Sequence, residues 1–176
     1  FCNTSDLVVN VQENIAKVLT RKYNIPRKSL NLDSFHKDPD LTEFCILSQP
    51  KILYFVLHLS KQFQIQHLTL TNNDIHLLSP IESIWGMKSL TTLDLRNNRI
   101  ENVSELNILK TMQISELYLD GNPLCNLYDD EQFENNLIRT RTRIPGDPHV
   151  VRTYDEIEHL QKVKQQWEQS STTLET

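Results

Sequence analysis

Glycine is scarce in this chain: Gly86, Gly121 and Gly146 are the three among 176 residues. They stand too far apart for a phosphate-cradling loop or a dinucleotide fingerprint, both of which need clustered glycines so that backbone can approach phosphate. Cysteine is equally sparse. Cys2, Cys45 and Cys125 form no paired spacing, which argues against a disulfide framework and for a reducing, intracellular compartment. His36, His58, His67, His76, His149 and His159 never fall at metal-ligand spacing with cysteine or carboxylate partners. No nucleophile stands beside a base. Asp38 and Asp40 flank a proline at an expected helix start, where capping is their ordinary role. No apolar run approaches the roughly 20 residues of a membrane helix; Ile52 to Leu59 is broken by His58 and reads as a buried helix face. The expectation is a non-enzyme with no metal, no cofactor, no small-molecule substrate and no membrane partner.

What is present is ordinary for one compact domain, with 38% hydrophobic residues and a net charge of -5. That balance implies no bulk polyanion binding, although a local basic patch is compatible with it. Cys45 sits among apolar neighbours and reads as a core residue.

The organising pattern is a repeat. Leu90, Leu93, Leu95, Asn98, Ile100 and Val103 follow the spacing LxxLxLxxNxI, and two further copies keep the asparagine in place. Ile65, Leu68, Leu70, Asn73, Ile75 and Leu78 lie upstream; Ile114, Leu117, Leu119, Asn122, Leu124 and Leu127 lie downstream. Leu70 and Leu95 are 25 residues apart, Leu95 and Leu119 are 24 apart, and periods of this length build leucine-rich-repeat solenoids. Each Leu-x-Leu forms a short strand with its leucines inward, and the asparagine closes the following turn. The predicted fold is an α/β leucine-rich-repeat solenoid, right-handed, of about four repeats, with a short parallel sheet, convex helices and helical caps at both ends.

Around these repeats the sequence predicts further elements. A helix over 10–23, with Asn10 capping, carries Val11, Ile15, Val18 and Leu19 on one face and covers the first repeat. Ile25-Pro26 ends it. Ser29 to Asp33 alternates like a strand, but Phe35 and His36 occupy the turn, so this first repeat is degenerate. Leu32 and Leu70 are 38 residues apart, and the surplus reads as helical. Asp38-Pro39 gives a start signal for Leu41, Phe44 and Cys45, followed by the stripe Ile52, Phe55, Val56, Leu59 and Phe63. Ser79 to Glu82 starts a short helix burying Ile81, Ile84 and Trp85, and Ser104 starts its counterpart with Leu106 and Leu109. Residues 129–139 read as helical, with Phe133 and Leu137 inward. After a turn at Pro145 to Pro148, Val150, Val151 and Tyr154 offer a closing strand. Thr153 and Glu156 start a terminal helix with Ile157, Leu160, Val163 and Trp167 on one stripe, which either packs on the last repeat or docks another domain. The division is an N-terminal flank 1–9, a repeat domain 10–155, and a terminal helix and tail 156–176.

Arg21-Lys22-Tyr23, Ser29 to Leu32, Asp38-Pro39-Asp40-Leu41 and the segment YLDGNPLC from Tyr118 to Cys125 make the chain resemble one family closely. It resembles the leucine-rich-repeat domain of the nuclear RNA export factors, the TAP-like mRNA exporters, over Val8 to Tyr154. The resemblance implies a parent with an RNA-recognition domain before this one, and an NTF2-like domain and a pore-binding module after it. It implies a nuclear protein that shuttles to the cytoplasm and takes protein adaptors or RNA-processing partners, and RNA together with the RNA-recognition domain. Some relatives have tissue-restricted roles or act on nuclear RNA in other ways. The alternative is a protein–protein scaffold unrelated to RNA.

Residues alternating with the strand leucines line the expected concave face: Asp33; His67, Thr69 and Thr71; Thr92, Asp94 and Arg96; Glu116, Tyr118 and Asp120. Four acids against one arginine suit a protein better than a phosphate backbone. The plain alternative is a solvated face without a ligand. Tyr118 reads as a protein anchor, with base stacking as the competing role. The RNA-binding candidates are Arg139, Arg141, Arg143 and Arg152 near the C-terminal end, with Arg21, Lys22, Arg27 and Lys28 at the other. Both clusters also suit helix-end charge.

Overall fold

Alternation of leucine with polar residues builds the spine. In the computed structural model, which describes residues 4–42, 44–128 and 150–151, the helix α1 (Thr4–Lys22) leads into strands β1 (Tyr23–Asn24) and β2 (Ser29–Asn31). Helix α2 (Pro50–Ser60) follows, then β3 (His67–Thr69), β4 (Thr92–Asp94), β5 (Glu116–Tyr118) and β6 (Val150–Val151). The strands form one sheet in chain order. From β2 to β5 every pairing is parallel, with Leu30, Leu68, Leu93 and Leu117 side by side. The residues two places on, Leu32, Leu70, Leu95 and Leu119, form a second column, and none of these eight leucines is more than 1% exposed. Burial of each contributes roughly 1.5–3 kcal/mol against the chain entropy that ordering costs.

The outer strands run antiparallel: β1 on β2 and β6 on β5. The sheet is therefore mixed, where the sequence pointed to a parallel one. Tyr23, expected as the end of the first helix, instead opens a hairpin. Its hydroxyl donates to the Gln64 carbonyl at 2.6 Å and its ring stacks on Phe63 at 4.7 Å. These contacts hold it extended.

The asparagines tie successive repeats together. Asn98 Oδ1 accepts from the N–H groups of Asn73 and Ile75, while its Nδ2 donates to the Leu70 and Leu95 carbonyls. Asn73 reaches back in the same way, donating to the Leu32 and Leu70 carbonyls and accepting from the Phe35 N–H. Asn122 accepts from the Ile100 N–H and donates to Leu95 and Leu119. Each side chain satisfies buried backbone groups of two repeats, since an unpaired one is costly. β2 has no parallel neighbour on its outer side, so its turn needs no asparagine. Phe35 stands there fully buried instead. The residue before each of these four positions, Ser34, Asn72, Asn97 and Gly121, has a positive φ.

Three local expectations need correction. α1 begins at Thr4, so Asn10 lies inside the helix and not at its cap; its inner face carries Ile15, Val18 and Leu19 as expected. Residues 38–42 and 44–49 form successive turns and no helix. Asp38 spends its carboxylate on the Asp40 N–H and on Arg21, and turn bonds from the Cys45 N–H to Thr42 and from the Gln49 N–H to Ile46 carry the chain past the buried Cys45 and Leu47. Phe44, expected inward, is 72% exposed. In α2 the fully buried positions are Leu53, Val56 and Leu57, with Ile52, Phe55 and Leu59 half-buried. The stripe is wider than the sequence suggested because α2 packs on α1 at one side and on the 3-10 segment Ser79–Ile84 at the other.

That segment and the next one, Val103–Thr111, take the place of longer helices. Ile81, Ile84, Leu106 and Leu109 are buried as expected. Trp85 is not: it is 43% exposed, with its indole N–H donating to the Ile108 carbonyl at 3.2 Å. Ser79 does not cap its segment, because Leu78 occupies the cap position with no side-chain bond. An acid from the following repeat serves there, as Glu105 Oε2 accepts from the Leu78 N–H at 2.9 Å. The expected elements over 129–139 and 153–167, together with Tyr154, lie outside the described residues.

Candidate functional site

Strand register sorts the outward-facing side chains into rows. Ser29, His67, Thr92 and Glu116 share one row, and Asn31, Thr69, Asp94 and Tyr118 the next. Backbone bonds from Leu32 to Thr69, Leu70 to Asp94 and Leu95 to Tyr118 carry the ladder onward. A third row follows from the same alternation: Asp33, Thr71, Arg96 and Asp120. Every sequence-predicted concave residue falls in this grid. Ser29 and Asn31 were missed, although the alternation over Ser29 to Asp33 already placed them beside Asp33 on one face.

The grid holds two bonded clusters. In the first, Arg96 grips Asp94 with both arms of its guanidinium, Nε to Oδ1 at 3.0 Å and Nη2 to Oδ2 at 2.7 Å. The same guanidinium lies 5.1 Å from the centroid of the Tyr118 ring. The Tyr118 hydroxyl donates to Glu116 Oε2 at 2.9 Å. An unbroken chain Asp94–Arg96–Tyr118–Glu116 therefore crosses β4 and β5, with a planar cation on an aromatic face at its middle. In the second cluster, Asp33 accepts from Thr71 Oγ1 at 2.5 Å and Asn72 Nδ2 at 2.7 Å. These hydrogen bonds hold its carboxyl below the usual aspartate value, so it is ionised at neutral pH.

Burial separates supports from contacts. Thr71 and Asp94 are each 8% exposed and act through Asp33 and Arg96. Asp33, Thr69, Thr92, Arg96, Glu116 and Tyr118 are half-buried, while His67 and Asp120 are exposed. With Asp33, Asp94, Glu116 and Asp120 against Arg96 the face is net acidic, and the cation is held by Asp94.

The basic candidates fare differently. Arg21 pairs with Asp38 and Asp40, and Lys22 lies 3.6 Å from Asp38. The hydrogen bonds that Arg21 donates to both acids push its guanidinium further up. Burial would raise the Asp38 carboxyl, but the bonds from Arg21 and the Asp40 N–H, with the charges of Arg21 and Lys22, hold it below its usual value. These two cations pin the 38–42 turn to the end of α1. Arg27 and Lys28 are exposed at the β1–β2 turn. Arg139, Arg141, Arg143 and Arg152 lie outside the described residues.

Among the described residues no group of three or more His, Cys, Asp or Glu side chains is placed to hold a metal ion. No described helix is long and apolar enough to cross a membrane. Cys45 and Cys125 are buried and unlinked. What this geometry offers is directional, charged recognition on a preorganised surface.

Comparison with known proteins follows the same lines. Residues 20–145 match the family model described as the NXF1/2/3/5 leucine-rich repeat domain. The chain is 29% identical over 133 residues to human nuclear RNA export factor 2, covering 72% of this chain and 21% of that protein. It is 30% identical over 126 residues to Drosophila melanogaster nuclear RNA export factor 1, covering 69% and 19%. It thus spans about a fifth of the length of these curated relatives. The leucine-rich-repeat domain of Mex67 from Chaetomium thermophilum superposes with a TM-score of 0.53 at 23% identity, over 84% of this chain and 99% of that one; at that identity the likeness concerns the fold. Repeat spacing, parallel leucine columns, asparagine ladder and family match agree, and the chain belongs to the leucine-rich-repeat domain family of the nuclear RNA export factors.

Proposed function

We propose that this chain is a non-catalytic interaction module of a nuclear RNA export factor, and that its concave face captures a protein adaptor or RNA-processing partner. The observation carrying this is the charge arrangement: the grid sets Asp33, Asp94, Glu116 and Asp120 against Arg96 alone, and Arg96 is held by Asp94. A phosphate backbone meets repulsion there, whereas a protein surface finds aromatic, hydroxyl and acidic groups held in place. A Chaetomium relative has been solved as Mex67:Mtr2 subunits, and protein partnership is extended here from that protein to this one.

On this reading about four repeats form the binding unit over 10–155, with α1 covering one end. RNA contact by the domain runs through Arg139, Arg141, Arg143 and Arg152, in cooperation with an RNA-recognition domain of the parent, which works in the nucleus and shuttles to the cytoplasm. The test is capture of partners from RNase-treated nuclear extract. Thr92→Arg, which leaves the Asp94–Arg96 pair in place, should abolish capture; undiminished capture would contradict the concave assignment.

A further inference from the structure

Two of the four acids of the concave grid, Asp33 and Glu116, stand at opposite corners of it. Asp33 follows β2 in the third row and Glu116 opens β5 in the first. Neither makes a salt bridge among the described residues, Lys37 acting on Asp33 through its charge alone, and both are half-buried. Between them lies Asp94, neutralised by Arg96. The diagonal Asp33, Asp94, Glu116 therefore reads negative, neutral, negative.

Its length follows from sheet geometry. Three strand spacings separate β2 from β5 and four residues separate the first row from the third, giving a diagonal of about 20 Å, or about six residues of extended chain. Along this line the half-buried hydroxyls of Thr69 and Thr92 face the same side, where they can meet the polar backbone of an extended segment. The Arg96–Tyr118 pair forms a raised flank. A helix would need about thirteen residues, nearly four turns, to set two cations this far apart.

We propose that the occupant of the concave face is an extended basic segment of a partner protein, lying diagonally across β2 to β5, with two Lys or Arg side chains about six residues apart pairing with Asp33 and Glu116. This rests on the reading of the concave face as a protein-binding surface and names the chemistry of its partner. Spacing, and not positive charge alone, sets the preference, because the central carboxylate is already satisfied by Arg96.

The test is fluorescence anisotropy of the 176-residue chain with labelled Gly/Ser/Thr peptides that carry two arginines, either six residues apart or adjacent. A single-stranded RNA oligonucleotide is the third probe. The six-spaced peptide should bind about fivefold tighter than the adjacent one at low salt, and the isosteric Asp33→Asn and Glu116→Gln should each remove that preference. Equal binding of the two peptides, or a preference surviving both substitutions, overturns the proposal. Thr69→Tyr, which fills the face without adding charge, separates the two levels. Loss of peptide binding in Thr69→Tyr with no spacing preference in the unsubstituted chain keeps the face and overturns the acidic pair. Peptide binding untouched by Thr69→Tyr, or displaced by RNA from the same site, overturns both.

Discussion

The guanidinium of Arg96 lies 5.1 Å from the centre of the Tyr118 ring while its two arms hold Asp94 on the neighbouring strand position. One side chain thus converts a buried acid into a neutral support and turns an aromatic ring into a fixed wall. Arg96→Ala should leave Asp94 without its cation and lower stability by roughly 1–2 kcal/mol, a figure kept small because the Arg96 side chain is 42% exposed. Urea unfolding of Arg96→Ala, Asp94→Asn and the double variant measures this. The double variant should lose less than the sum of the two singles.

Asn98 is expected to be far less replaceable. Its side chain answers two buried N–H groups and two buried carbonyls across two repeats. Asn98→Ala should cost about 3 kcal/mol or more. Asn98→Asp should also destabilise, since a carboxylate accepts from Asn73 and Ile75 but cannot donate to Leu70 and Leu95. Equal stability of Asn98→Asp and the unsubstituted chain, by thermal unfolding, would contradict the ladder.

Gly121 is a steric matter. It has φ +77°, and a Cβ there would stand 2.2 Å from Asn97 Oδ1. Gly121→Ala should cost about 1–3 kcal/mol through backbone strain and the clash together. Pairing it with Asn97→Gly removes the clash but not the strain, so the double variant should recover part of the loss. No recovery would place the whole cost in the backbone.

The ion pairs of Asp38 predict a pH dependence. Its folded pKa lies below the reference value of 3.8, so the stability it contributes is present above the unfolded value and is lost as pH falls through the folded one. Denaturation midpoints should begin to decline as pH approaches the unfolded value and go on declining below it. Asp38→Asn should lower the neutral-pH midpoint and flatten that decline. An unchanged acid limb would remove Asp38 from the account.

The leucine columns and the asparagine ladder were legible in the sequence because both repeat at a fixed period, and the strands stack where Leu68, Leu93 and Leu117 predicted. The family was legible from the YLDGNPLC segment taken with the DPDL turn. What local reading could not see were contacts made over distance. Arg21 claims the Asp38 carboxylate that looked like a helix cap. Glu105, 27 residues away, caps Leu78 in place of Ser79. Tyr23 leaves the helix because Gln64 and Phe63 offer it partners 40 or so residues on. On the candidate face the residue list was readable from alternation, but the commitment of Arg96 to Asp94 was not. That commitment decides which acid of the surface is already satisfied.

The most direct measurement is photocrosslinking in the full-length parent within nuclei, with a benzoylphenylalanine placed at His67, exposed at the edge of the concave grid, or at Tyr54 on the outer side of α2. The account predicts that the His67 position yields RNase-resistant protein adducts and the Tyr54 position far fewer. Adducts at His67 that consist of RNA, or protein adducts confined to Tyr54, would contradict it.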